Sequence, residues 1–550
     1  MRGILARRHL DAVRAEVTEL GTVLVSGDRS TVPARLDRVR RAAAAARTLT
    51  SDPVWSLLAR VPVAGRSLRT GAGLARAVDE VARDALPALD RASGTLSLRS
   101  IRPAGDTIAL DRFAAARQPL EQVRDSVTRT ERRVRSLPGW LVLPVIADAR
   151  RDLLDQLASL RAATTSAADA AALVPPMLGR DGPRRYLVAF LNNAEMRGSG
   201  GMLGAYGILV ADRGRLRMRE VETNDDLRSA RPPVVDLGPE YAARYDRFST
   251  TTFWQNANMS PHFPHAARIW LALWQDNRRE RLDGVIAVDP VAMSRILSVT
   301  GPATLPGGEQ VTAENVVRLT ESEVYLRFPR SEDNAARGEY FVSIAEAIYG
   351  RFVSGSGATT AMLTALGDAA SSRHLQVASA HAAEQSVIER SSVGGVLPPA
   401  TDVPFLLVTT QNAGGNKLDY YIRRSVRYER DGRTTTVEVR LTNEAPPGLP
   451  RYVAGRHDLA KTAGVRPPGE QHVYLSLFAG GRALLLDATL DGKPLHVESE
   501  RERGHPVYST FLDVGPGVPR VVRFRLRDEG DGQVQVIQQP VVVPDTLSIG

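Results

Sequence analysis

Cysteine is absent from all 550 residues, which excludes disulfides, thiolate nucleophiles and zinc-thiolate sites together. Lysine is almost absent too, occurring only at Lys417, Lys461 and Lys493, so the formal charge of +9 is carried by arginine. Aromatic residues make up only 5%. With no helix-turn-helix spacing and no stacking platform, the chain offers no nucleic-acid-binding module. No apolar run approaches the roughly 20 residues that cross a bilayer, and Met1 to Leu10 is too charged for the apolar stretch of a signal peptide. As given, the chain reads as soluble: either cytoplasmic or separated from an upstream anchor.

What is present is globular material, 43% hydrophobic and 24% charged. The chain exceeds the roughly 250 to 300 residues at which single cores stop growing, so three domains are expected. Arginine forks bind phosphate bidentately, but a GC-rich genome raises arginine throughout a proteome, and most of these arginines are assigned to that cause.

The expected fold is α+β and multidomain. Residues 1–178 form a helical leader, on the three- and four-residue spacing of Leu36, Val39, Ala43 and Ala46 and of Leu153, Leu157 and Leu160. Ser30-Thr31 before Pro33 and Ser51-Asp52 before Pro53 supply caps and first-turn prolines, and the helices are expected to be short and antiparallel. Residues 179–395 form an α/β core with a mixed sheet. There Arg185 to Leu191, apolar on both faces, predicts a buried central strand. Asp212-Arg213-Gly214 predicts a hairpin, Gly284 to Val288 another strand, and Asp289-Pro290 a capped helix start. Thr312 opens a further helix. Residues 396–550 are strand-rich from Phe405 onward, with tight turns at Asp431-Gly432 and Asp491-Gly492, and predict a β-sandwich.

Several groups could carry chemistry. Asn192-Asn193-Ala194-Glu195-Met196-Arg197-Gly198-Ser199-Gly200-Gly201 leaves a core strand for a glycine-rich loop, where α/β folds place ligands. It is either an anion site gripped by Arg197 or a turn between strands. The Gly-Lys-Ser/Thr ending of a P-loop is missing. Arg327, Arg330 and Arg337 crowd into one short segment with Asp333. That suits a diphosphate, or else a solvated network with Glu332, Asp333 and Glu339. Asp225 and Asp226 close the hairpin and suit Mg²⁺, base chemistry or a cap. Asn256 and Asn258 beside Trp254 suit a carbohydrate site or an ordinary loop. His262 and His265 lack a metal-binding pattern, and no serine sits in a nucleophile elbow. Glycoside hydrolysis needs two facing carboxylates whose separation sequence does not give.

From Gly182-Pro183-Arg184-Arg185-Tyr186-Leu187, through Asn192 to Arg197, to Asp283-Gly284-Val285-Ile286-Ala287-Val288-Asp289-Pro290, the chain resembles the bacterial envelope family known as domain of unknown function 4012. The resemblance extends to Ser51-Asp52-Pro53-Val54-Trp55 in the leader. It implies an extracytoplasmic, membrane-tethered protein whose N-terminal anchor is missing from this sequence. More distantly the core is similar to LytR-CpsA-Psr proteins, which move glycopolymers from a polyprenyl diphosphate onto the cell wall, with arginines on the diphosphate and carboxylates on Mg²⁺. Tyr325-Leu326-Arg327-Phe328-Pro329-Arg330 with Asp333, Arg337 and Tyr340-Phe341 follows that family's arginine-rich segment. Arg197 matches its first arginine loop, and Asp225 or Asp226 its strand-terminal aspartate. Where that family carries a further aspartate, this chain has Leu203-Gly204-Ala205-Tyr206-Gly207, so one Mg²⁺ carboxylate is missing and the metal ligands stay unassigned.

The expectation is therefore a glycopolymer phosphotransferase or a binder of a lipid-linked or cell-wall glycan. Asp225, Asp226 and Arg330 would be catalytic. Asn193, Glu195, Arg197, Asn256, Asn258, Arg327, Asp333 and Arg337 would bind substrate, with Mg²⁺ as the implied cofactor. The alternative is a non-catalytic envelope scaffold.

Overall fold

The computed structural model describes residues 32–51, 64–95, 107–355, 359–456 and 466–550, with Ala12, Glu16, Pro53, Leu57, Ala59 and Val61 besides. The expected caps at Ser30-Thr31 and Asp52, the Val54-Trp55 motif and the Met1 to Leu10 start lie outside the described residues. Helices and several sheets make the protein α+β. It divides into two compact units, Met1–Pro183 with Ala211–Arg215, and Arg184–Val210 with Leu216–Gly550. Apart from 179–183 and 211–215, the segments expected as 179–395 and 396–550 thus fall within one unit.

The first unit is helical: α1 (Val32–Thr50), α2 (Ala64–Glu80), α3 (Leu86–Thr95), α4 (Leu110–Ser136) and α5 (Pro144–Met177), with one π turn, Val81–Ala85, between α2 and α3. The apolar spacing does what it predicts: Leu36, Val39, Ala43 and Ala46 are all buried. Leu74, Ala77, Val123, Val127, Val134 and Leu157 form a core joining α2, α4 and α5. The expectation of short helices fails, since α4 has 27 residues and α5 has 34. α4 runs through Pro119. The lost backbone hydrogen bond there is outweighed by the buried stripe Leu120, Val123 and Val127 that continues beyond it. Among the described residues no helix is long and apolar enough to cross a membrane.

In the second unit β1 (Arg184–Arg197) is central in a five-stranded sheet. On one side lie β2 (Gly200–Asp212) and β3 (Arg215–Thr223), on the other β4 (Gly284–Val288) and β5 (Leu375–Ser379). β4 runs parallel to β1, Tyr186 opposite Gly284, and β5 antiparallel to β4. Side chains alternate across a strand, so Leu187, Ala189 and Leu191 pack under Ile269 and Trp270 of one helix (Phe263–Arg278). Val188 packs on the other face against Met293 and Leu297 of a second helix (Pro290–Thr300). That two-sided burial is why β1 is apolar on both faces. Asp289 caps the second helix, its Oδ1 accepting from Val291 and Ala292 N–H at 3.0 Å each. Arg213 and Gly214, both at positive φ, close the β2–β3 turn, as a two-residue hairpin requires.

The rest of this unit is two sheets. β6 (Phe405–Asn412), β9 (Gln471–Ala479), β12 (Glu498–Glu502), β13 (His505–Val514) and β15 (Gln535–Val536) make one. β7 (Ile422–Asp431), β8 (Thr434–Asn443), β10 (Ala483–Leu490), β11 (Lys493–Pro494), β14 (Arg520–Asp528) and β16 (Thr546–Ile549) make the other. They bury a shared core in which Val408, Leu475 and Leu477 of the first meet Val437, Val439 and Phe524 of the second. The far end of β1 is stitched to this region: Asn193 Nδ2 donates to the Pro540 carbonyl at 3.1 Å, and Met196 N–H to Asp419 Oδ2 at 2.8 Å.

Candidate functional site

The stitching leaves a cavity of about 600 Å³ at the end of β1, lined from both the mixed sheet and the two-sheet region of the second unit. Four cations face it, Arg197, Arg337, Lys417 and Arg456, against two carboxylates, Glu195 and Asp225. Seven amides also line it, among them Asn192, Asn224, Asn256, Asn334 and Asn412, and aromatic rings close one part of the wall.

Arg197, Arg337 and Lys417 are each held by identifiable groups. Arg197 ends β1, its Nε donating to the Gln255 carbonyl at 3.1 Å and its Nη2 to Asn256 Oδ1 at 3.1 Å. Asn256 is itself fixed by donating to the Phe248 carbonyl. Arg337 is only 2% exposed. Its guanidinium donates to the carbonyls of Phe328 at 2.8 Å and Arg330 at 2.7 Å and to Asn334 Oδ1 at 3.2 Å, and lies 3.7 Å over the Tyr452 ring. These hydrogen-bond partners are neutral oxygens, which orient the guanidinium without cancelling its charge. Lys417 pairs with Glu195 in a buried ion pair, its ammonium 5.1 Å from the Tyr452 ring centre. Asp225 accepts from Asn334 Nδ2 at 2.6 Å and from Thr223 Oγ1 at 3.3 Å.

Buried acids lie behind the lining. Desolvation lifts Asp419 to about 6, against the opposing pull of its donors Met196 N–H, Gln471 and Asn412 and of Arg197. Glu321, fully buried and accepting from Ala194 N–H, is raised well above the ordinary carboxyl range by the same cause. The aromatic wall is one packed group: Tyr474 and Phe511 ring centres lie 4.7 Å apart, Phe248 and Tyr474 5.4 Å, and His472 stacks on Phe511 at 5.3 Å.

Of the residues singled out from sequence, the fold brings Glu195, Arg197, Asp225, Asn256 and Arg337 together here. It does not bring the others. Arg327 is bidentate to Glu309 at 2.9 Å on both nitrogens. Arg330, 69% exposed on its side chain, pairs with Asp333, which also accepts the Arg330 N–H at 2.9 Å. Asp226 turns to Arg278 and Tyr206. Asn193 points away to Pro540, and Asn258 pins the hairpin by donating to the Gly201 carbonyl at 2.8 Å. The glycine loop is a close-packed turn and not an open anion nest. A Cβ on Gly198 would sit 1.9 Å from the Met259 carbonyl oxygen, and one on Gly201 2.2 Å from Asn192 backbone.

Lys417, Arg456, Tyr452, Tyr474 and Phe511 were not read from sequence, because they sit some two hundred residues or more beyond Arg197. Lys417 did carry a signal, being one of three lysines. Among the described residues no cluster of three His, Asp or Glu side chains could hold a metal. With Glu195 engaged by Lys417, the cavity offers Asp225 alone, which does not fit a resident Mg²⁺ with its several oxygen ligands.

Fold and cavity thus define an α+β protein with an amide-lined site of net positive charge. Residues 181–325 match the model of a family described as a protein of unknown function (DUF4012); that span holds Glu195, Arg197 and Asp225 and stops short of Arg337 and Lys417. No curated protein and no solved structure gives a match.

Proposed function

We propose that the second unit binds a phosphorylated glycan of the cell envelope, a polyprenyl-diphosphate-linked chain or a phosphate-bearing wall polymer. The observation that carries this is Arg337: a nearly fully buried guanidinium, bonded to neutral oxygens, facing a cavity it shares with Arg197, Lys417 and Arg456. Holding a cation out of water beside other cations is costly unless an anion arrives, and a diphosphate supplies the needed charge and forked acceptors. The amides and aromatic wall suit the hydroxyls and ring faces of attached sugar. On this reading the mixed-sheet core is LytR-CpsA-Psr-like, the two sheets form a sandwich-like lobe that completes the site, and the protein works outside the cytoplasm, tethered to the membrane.

The stronger form adds transfer to a wall acceptor. Asp225, inside the cavity and fixed by Asn334 and Thr223, takes the proton of the acceptor hydroxyl as its oxygen attacks phosphorus. Arg197 and Arg337 stabilise the charge gathering on the phosphoryl oxygens, and the polyprenyl phosphate leaves. No step runs through a metal. Calorimetry with inorganic pyrophosphate and with a lipid-diphosphate glycan tests binding; absence of binding to both ends the proposal. Incubating the lipid-linked donor with wall acceptor, with and without Mg²⁺, tests transfer. Release of polyprenyl phosphate supports it, and stable retention of intact donor leaves a binding protein.

A further inference from the structure

The helical unit carries an apolar tip that its other described residues leave exposed. The α4–α5 connection reads Leu137-Pro138-Gly139-Trp140-Leu141-Val142-Leu143 and runs into Pro144-Val145. Trp140 is 64% exposed, Leu141 58% and Leu143 59%. Apolar residues exposed singly are ordinary, but a contiguous run around a tryptophan marks a contact surface.

The backbone that presents them is fixed. Leu143 N–H donates to Ser67 Oγ at 3.0 Å, and Thr70 Oγ1 donates to the Pro138 carbonyl at 3.1 Å. Leu137 packs on α2 at Gly73, where a Cβ would lie 2.5 Å from its Cδ2. At the neck, Arg150 donates to the carbonyls of Val134 and Arg135. The loop is therefore anchored while its largest side chains point to solvent.

Charge decides what the tip meets. From 131 to 151 Arg132, Arg133, Arg135, Arg150 and Arg151 stand against Glu131 and Asp148, and from 64 to 80 Arg66, Arg69 and Arg76 stand against Asp79 and Glu80, an excess of positive charge. Arg133 and Arg135 pair with Glu80 and Glu131, and Arg151 with Asp148, which leaves Arg66, Arg69 and Arg132 as the nearer cations. Arg66 lies 3.8 Å over the Trp140 ring. Tryptophan and leucine at the point with a collar of arginine is the pattern that seats at a lipid headgroup boundary, the ring among acyl chains and the guanidinium groups among phosphates. We propose that the α4–α5 tip inserts into the interface of an anionic membrane. This does not rest on the cavity reading, and either can fail without the other.

The test is co-sedimentation of the full chain with vesicles of phosphatidylcholine alone, or with about one third phosphatidylglycerol, at about 0.1 M salt. Wild type is expected to bind the anionic vesicles at least about tenfold better than the neutral ones. The triple variant Trp140→Ser, Leu141→Ser, Leu143→Ser is expected to lose about tenfold or more. In the wild-type chain, brominated acyl chains should quench a component of tryptophan emission that Trp140→Phe removes, which needs no destabilising variant. Failure of wild type to bind anionic vesicles, binding of the triple variant within about twofold of wild type, or absent quenching overturns the proposal. So does a concentration-dependent dimer abolished by the triple variant without vesicle binding, which would make the tip a contact between copies.

Discussion

Lys417→Met separates the structural from the ligand-binding work of the cavity cations. The Lys417 and Glu195 side chains are each 9% exposed and pair with one another, so methionine keeps the apolar stem and strips the charge, leaving a carboxylate buried without its cation. Breaking such a pair from one side costs about 3 to 5 kcal/mol. The lost ammonium contacts with the Tyr452 and Tyr325 rings, at 5.1 and 5.9 Å, add about 0.5 to 2 kcal/mol. The expected loss is thus about 3.5 to 7 kcal/mol in urea unfolding. Adding Glu195→Gln removes the stranded charge, so the double variant should return to within about 1.5 kcal/mol of wild type. Pyrophosphate affinity should not follow that recovery. It falls by about tenfold or more in both Lys417→Met and the double variant, because the cation is gone in each, while Glu195→Gln alone tightens binding by releasing Lys417 toward the ligand. A single-variant cost below about 1 kcal/mol, or a double variant as unstable as the single, would refute the buried pair; unchanged affinity across the cycle would refute the role of Lys417 in anion binding.

Arg330→Ala is expected to leave pyrophosphate affinity within about twofold of wild type, since its pair with Asp333 is exposed and screened by solvent and lies outside the cavity. Arg337→Met should weaken affinity by about tenfold or more, and equal effects in the two titrations would contradict the site. For Asp419, burial raises the folded pKa from 3.8 to about 6, so between those values the folded state holds a proton the unfolded state has released. Asp419's contribution to stability therefore falls as pH rises from about 4 to 6, by up to about 3 kcal/mol, and is constant above. Asp419→Asn should remove that contribution, because an amide does not titrate, and Gln471 Oε1, buried without a partner, can accept from the new amide once its own amide turns; parallel pH profiles for both proteins would disprove it. Gly198→Ala should cost about 1 to 3 kcal/mol in thermal unfolding, the overpacking penalty against the Met259 carbonyl, and a neutral result would mean the hairpin yields freely.

Local order along this chain is written in its residues. The alternation at Leu187, Val188 and Ala189 buries both faces of β1, Asp289 caps the helix that follows it, and Asp491-Gly492, both at positive φ, turns a two-residue hairpin. Each depends on neighbours within a few positions, where period and turn chemistry act directly. Helix length escaped because Pro119 is a local signal, overridden by a core that only distant helices complete.

The cavity was half legible. Glu195, Arg197 and Asp225 stand near strand ends, a place the sequence pattern indicates, and Asn256 stands in the amide-rich turn at Trp254. Arg327, Arg330 and Arg337 look alike in sequence, yet Glu309 and Asp333 take two of them while the third is buried against carbonyls and the Tyr452 ring. Which guanidinium keeps its charge for a ligand depends on what lies opposite it in space. Lys417, Tyr452 and Tyr474 reach the site only because the far end of β1 hydrogen-bonds to the two-sheet region, at Asp419 and Pro540. Composition and period by themselves determined an α+β chain rich in arginine with its strands and turns in order. Only tertiary packing decided which charges meet, because a carboxylate neutralises or spares a cation through distances of a few ångströms that separation along the chain does not encode.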